Sequence, residues 1–279
     1  MHTTRKGFTL IELMIALVLL VIVGGGMFKL LTSQQRATRQ QAAQSMLQAN
    51  IRTGTLLVPS ELREINVTAA GSDIVAMGPD SITYRAMRAT SVVCAITTTE
   101  VRLRNEYTFG YRAPVPGRDK LLIFVENDAA SSLDDGWTTK EISAATGSTC
   151  PDGGNAVAYT VAVTADTVAM VRLDAVARTF EVMQLKLYQS GGRNWLGARS
   201  VSGGEVAVQP VLGPLTAAGL RLTYLNAAGG ATTDSTQVRT IDIMVQGETD
   251  NAVSNGSSTQ AIKMDSLTAR IRLRNAPRL

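Results

Sequence analysis

The chain has 279 residues, a formal net charge of +4 and 45% hydrophobic side chains, enough to bury a substantial core and too weakly basic to argue for a nucleic-acid partner from charge alone. Only 5% of the residues are aromatic and the single histidine, His2, stands at the start of the chain, so the sequence offers little for a catalytic triad, a proton shuttle or a histidine metal site. Two cysteines, Cys94 and Cys150, cannot build a four-cysteine zinc site, and a Walker A loop is missing. The acid pair Asp134 and Asp135 lies in a Ser, Asp and Gly stretch that reads as a surface turn. No enzyme activity, catalytic residue, metal or cofactor is therefore expected.

The first element is an apolar helix behind a short basic start. From Phe8 to Leu31 charge interrupts only at Glu12 and Lys29, and as a helix this run reaches roughly 36 Å against a bilayer core of about 30 Å. A secretory signal is the competing reading, with Arg5 and Lys6 as its basic region and 13–23 as its apolar region. Against it, Met27, Phe28, Leu30 and Leu31 carry the apolar pattern on into a polar helix where a cleavage site should intervene. Arg5 and Lys6 favour a cytoplasmic amino end, although Lys29, Arg36 and Arg39 crowd the other side. Glu12 is the anomaly: a carboxylate in lipid costs a few kcal/mol and calls for a partner, for which a free amine on a neighbouring copy is suited.

This stretch, "RKGFTLIE" followed by an unbroken apolar helix, resembles the type IV prepilin family. The resemblance implies that a prepilin peptidase cuts between Gly7 and Phe8, that Phe8 is then N-methylated, and that Glu12 pairs with the amine of an adjoining subunit during assembly. It further implies contacts with other pilin or pseudopilin subunits, an inner-membrane assembly platform and, before assembly, membrane lipid. The chain would cross the inner membrane once, its leader cytoplasmic and its head outside, and enter a pilus or pseudopilus on assembly. The alternative is an ordinary amino-terminal anchor with a chance acid. Many major pilins carry a proline partway along this helix, where the present chain has Gly24, Gly25 and Gly26, residues suited either to softening the helix or to close helix packing.

Residues 32–56 continue as a Gln-, Ala- and Arg-rich stalk with a stripe of Ala43, Met46, Leu47, Asn50 and, just beyond, Leu57. Pro59 predicts a kink or short break near Val58, after which Ser60 would cap a last helical piece through Ile65. After Val67 the period changes to two: 81–88, 91–96, 99–104, 120–127, 156–163, 180–189, 219–226, 238–246 and 266–275 read as strands separated by Gly, Pro, Asn and Asp turns. The fold class is α+β, a long helix packed against an antiparallel β-rich head. Its divisions are a leader at 1–7, a transmembrane and assembly helix at 8–31, a helical continuation at 32–66 and the head at 67–279.

The order of a strand pair around "KLYQSGGRNWLGAR", then "VLGPLTAAGLRLTYLN", then a final "LTARIRLRN", is similar to the larger minor pilins of the PilW type and the J-type pseudopilin of type II secretion. This resemblance implies a low-abundance subunit in an initiating or tip complex. Outside the cytoplasm Cys94 and Cys150 are expected to form a disulfide. Lastly, "VRLRN" at 101–105 is echoed by "IRLRN" at 271–275, and Arg270, Arg272 and Arg274 share one face of a strand. That face is either a solvated outer surface or an anion-binding strip for DNA or another surface ligand, the latter making the chain a filament-displayed binding module.

Overall fold

Leucine, isoleucine, valine and alanine dominate the first element, and they form one helix, α1 (Leu10–Leu62), of 53 residues or roughly 80 Å. The structure, a computed structural model, describes residues 7, 9–68, 71–126, 128, 130–131, 135–254 and 260–273. Gly24, Gly25 and Gly26 lie inside α1 without interrupting it.

The break expected at Pro59 does not occur. Val58 and Pro59 are buried, and Arg63 N donates to Pro59 O at 3.0 Å, so the final turn closes around the proline. Packing of this end outweighs the one backbone bond that proline removes. Ser60 accordingly caps nothing: its hydroxyl donates back to Leu57 O at 2.8 Å, and the helix stops at Leu62 instead of Ile65. Of the expected stripe, Leu47 is buried, Ala43, Asn50 and Leu57 are half-buried and only Met46 is exposed, while Ile51, Gly54, Val58 and Leu62 are buried further along.

The chain divides into two compact units, Met1–Ala49 with Glu248–Asp265, and Asn50–Gly247 with Ser266–Leu279. The first holds α1 up to Ala49 and a small excursion in which Thr249 N donates to Lys263 O at 2.9 Å.

The second holds the end of α1 and most of the β structure. In chain order the strands are β1 (Val67–Thr68), β2 (Gly71–Ser72), β3 (Ile74–Met77), β4 (Ser81–Ile96), β5 (Glu100–Arg104), β6 (Phe109–Gly110), β7 (Lys120–Val125), β8 (Gly136–Glu141), β9 (Ala144–Thr149) and β10 (Asn155–Thr160). A short helix, α2 (Ala165–Met170), capped by the Thr164 hydroxyl, precedes β11 (Val176–Ser190), β12 (Arg193–Ser200), β13 (Gln209–Leu225) and β14 (Thr240–Glu248). The excursion pairs β15 (Val253–Ser254) with β16 (Gln260–Ala261), and β17 (Met264–Arg272) returns. The main sheet runs β17-β14-β13-β12-β11-β4-β5-β10-β9, with β3 and β6 added on β4 and β7 on β11, followed by β8.

Two long strands organise this sheet. β4 pairs with β11 from Ser81 to Val92 and then with β5 from Val93, so the expected strands 81–88 and 91–96 are one. β11 in turn meets β7 at 177–180 and β12 at 183–190. Around the far half of β4 the buried residues Val93, Val101, Leu103, Leu121, Ile123 and Tyr159 form a core. Helix α1 docks through a glycine: a Cβ on Gly54 would lie 2.6 Å from Leu212 Cδ2 and 3.1 Å from Val245 Cγ1, while Asn50 Nδ2 donates to Gly213 O at 2.9 Å.

A charged cluster lies within the head. The Glu181 side chain on β11 is only 1% exposed and accepts two bonds from Arg88, each 2.9 Å, one from Arg112 at 2.9 Å and one from Arg118. Arg112 also grips Asp119, whose carboxylate accepts Val115 N at 2.6 Å, and Arg118 reaches Glu205 at 3.1 Å. Three guanidiniums thus face three carboxylates, the balance a buried charge requires. Burial would raise the Glu181 carboxyl, but the bonds from Ser200, Arg118 and Arg112 and the charge of Arg88 hold it below its ordinary value.

Candidate assembly site

The helix begins where Thr9 O accepts Leu13 N at 3.2 Å. Thr9 and Glu12 then contact each other reciprocally: Glu12 N donates to Thr9 Oγ1, while Thr9 N and the Thr9 hydroxyl donate to Glu12 Oε2, each at 3.4 Å. This is the geometry of a capping box, in which the first free N–H groups of a helix find side-chain acceptors. The signal was present as Thr9-Leu10-Ile11-Glu12 and was hidden by the apolar run that surrounds it. The bonds are long and Glu12 remains exposed, so its carboxylate is oriented but still available.

Beyond Glu12 the helix offers apolar surface in every direction. Each Leu, Ile, Val, Met and Phe from Leu10 to Leu31 is more than half exposed, and the most apolar window of the helix is wholly uncovered. Such a helix suits an apolar surrounding, unlike one with a single apolar stripe. It is long and apolar enough to cross a membrane. Cβ atoms built on Gly24, Gly25 and Gly26 would meet nothing within 4 Å, so no contact inside this chain demands glycine there.

Gly7 is exposed; Phe8, the site of the expected cut and methylation, lies outside the described residues, as do His2, Arg5 and Lys6. Cys94 and Cys150 are bonded to each other with Cα atoms 5.6 Å apart, and both are buried beside Ala156. The bond ties the turn between β9 and β10 to β4. On β17, Arg270 and Arg272 are exposed while Ile271 and Leu273 are buried; Arg274 lies outside the described residues. Arg270 grips Asp242 with two bonds, 2.6 and 2.7 Å, which holds that carboxyl below its ordinary value. The echoing arginines are matched too, Arg102 by Glu100 at 2.6 Å and Arg104 by Asp152.

Residues 3–28 match the family model for the prokaryotic N-terminal methylation motif. That match spans Gly7, Phe8, Glu12 and most of the exposed apolar helix, and it supports a type IV pilin or pseudopilin subunit, a structural protein whose helix is consistent with membrane anchoring. The motif also implies processing by a peptidase and assembly with other pilins. No curated protein and no solved structure matches the chain.

Proposed function

We propose that the chain is a minor pilin or pseudopilin, a low-abundance structural subunit of a type IV pilus or related secretion filament, working in the assembly-initiating or tip complex. The supporting observation is the methylation motif at 3–28, seated on a helix that is apolar on all sides and carries one acid near its start. The subtype is read as PilW-like or J-like from the size of the head and the order of its last strands. Before assembly the chain is held in the inner membrane with residues 1–7 in the cytoplasm and the head outside.

Cleavage between Gly7 and Phe8 frees an amine, which is methylated and stays cationic. Glu12 then exchanges its long contacts with Thr9 for a charge-assisted bond to the amine of an adjoining subunit, roughly twice as strong as a neutral hydrogen bond. Desolvation between packed helices strengthens that pair, and the exposed apolar surface of residues 10–31 is covered by neighbours. Replacing Glu12 by Val tests the step: the variant folds and is processed, yet fails to enter filaments pulled down with a tagged partner subunit. Normal incorporation of Glu12→Val would remove the assembly role.

A further inference from the structure

The turn after β5 reads "EYTFGYR", residues 106–112, and it presents three aromatic rings to solvent: Tyr107 is 52% exposed, Phe109 69% and Tyr111 79%. The backbone enforces this. Thr108 is turned inward, its hydroxyl 2.6 Å from Arg104 O and 2.9 Å from Ser91 Oγ, and Gly110 presses on β4, where a Cβ would lie 2.2 Å from Arg88 O. With the Thr108 hydroxyl and Gly110 held to β4 and Tyr111 N donating to Arg88 O at 2.9 Å, the three rings are left in solvent, Tyr107 from the turn closed by Thr108 N on Asn105 O at 3.1 Å, Phe109 from β6 and Tyr111 from the residue after it. In a chain with five Phe, six Tyr and two Trp, this concentration of exposed rings has no role in the core.

Beside Tyr111 opens a cleft of about 150 Å³ where Ser60, Glu61, Glu64, Arg85 and Arg88 meet the apolar Ile65, Ala86 and Met87. Two carboxylates face two guanidiniums, so the cleft is rich in donors and acceptors and has no net charge. The nearby cations are already matched: Arg85 lies 3.7 Å from Asp73, Arg88 and Arg112 hold Glu181, and Arg104 holds Asp152. A phosphate or sulfate chain would meet no uncommitted positive charge among these groups, although stacking rings alone would suit nucleic-acid bases. Exposed rings beside arginines also suit a protein interface, so another subunit is the competing occupant, separated from a sugar by the filament-incorporation arm of the test.

We infer that Tyr107, Phe109 and Tyr111, with the cleft beside Tyr111, bind a neutral oligosaccharide: the apolar C–H faces of its sugar rings lie on the aromatic rings, and its hydroxyls bond to the charge-balanced carboxylates and guanidiniums of the cleft. The site is independent of how the amino-terminal helix assembles.

The test is saturation-transfer NMR on the full chain in lauryldimethylamine oxide micelles, which carry no sugar headgroup, with cellohexaose, chitohexaose and maltohexaose as probes and heparin hexasaccharide as the polyanion. Transfer to the ring C–H protons of at least one neutral hexasaccharide is expected. That affinity should fall at least about tenfold in Tyr111→Ala, persist in Tyr111→Phe, and vanish in the triple alanine variant of Tyr107, Phe109 and Tyr111. The thermal midpoint should not move, because all three side chains are exposed. No transfer to any neutral probe, transfer unchanged in the triple variant, or transfer to heparin alone would each overturn the inference. Loss of filament incorporation by the triple variant, with no sugar bound by the parent, would make the face a subunit contact.

Discussion

Residues 10–31 and residues 50–62 belong to one unbroken helix, yet every large apolar side chain in the first stretch is more than half exposed, while Ile51, Val58 and Leu62 are at most 2% exposed. The difference lies in how the apolar residues are distributed around the axis. In the first stretch they occupy all faces, and a single sheet covers only one. In the second they form one stripe, with Gly54 letting the helix backbone approach Leu212 and Val245. One segment is covered by its own fold; the other presents apolar surface that the fold leaves open, consistent with membrane anchoring.

The largest effects of substitution are expected within the head. Replacing Glu181 by Ala leaves Arg88, Arg112 and Arg118 without their shared carboxylate and should cost about 3–5 kcal/mol, measured by denaturant unfolding, with no effect on membrane extraction of the chain. Replacing Cys94 by Ala releases the turn held at Cys150 and should lower head stability by about 2–4 kcal/mol, and reduction of the parent should mimic it. Glycine separates the two helix segments more sharply. Gly54→Val should destabilise the head by about 1–3 kcal/mol through overpacking, whereas Gly25→Val, with open space around it, should leave the unfolding midpoint unchanged.

Acid supplies a graded version of the same test. Glu181 is held low in the folded head, so its contribution is present above the unfolded glutamate pKa of about 4.3 and is lost as pH falls through the depressed folded value. Asp73, raised mainly by its burial, works in the opposite direction, but Asp152, Asp234 and Asp242 are all lowered and reinforce Glu181. The thermal midpoint of the head should therefore decline below about pH 4. The smallest effect is expected at Arg270→Ala, whose Asp242 pair is exposed: the midpoint should stay within error, and the difference should shrink further in salt.

Much of this architecture was legible because it rests on local signals. The apolar run announced the helix, and period-two alternation announced β5, β7, β10, β11 and β14. β8 and β9 were not legible: "GWTTKE" and "AATGST" are polar, mostly exposed edge segments with no apolar face to alternate. Pro59 was misread because a local rule predicts a break where burial of Val58 and Pro59 holds the helix together. The cluster on Glu181 was invisible for another reason, since Arg88, Arg112 and Arg118 lie far from it in sequence and meet it only through the pairing of β4 with β11 and the folding of the segment that leads into β7. At the amino end the acid was legible, but its bonding to Thr9 depends on the first turn of α1.

Whether the chain is cut after Gly7 is decided by intact-mass and amino-terminal analysis of the membrane-extracted protein, with and without an active prepilin peptidase. A chain beginning at methylated Phe8 is expected only when the peptidase is active. A chain beginning at Met1 under both conditions would contradict it and leave an anchored β-rich head whose Glu12 merely caps its own helix.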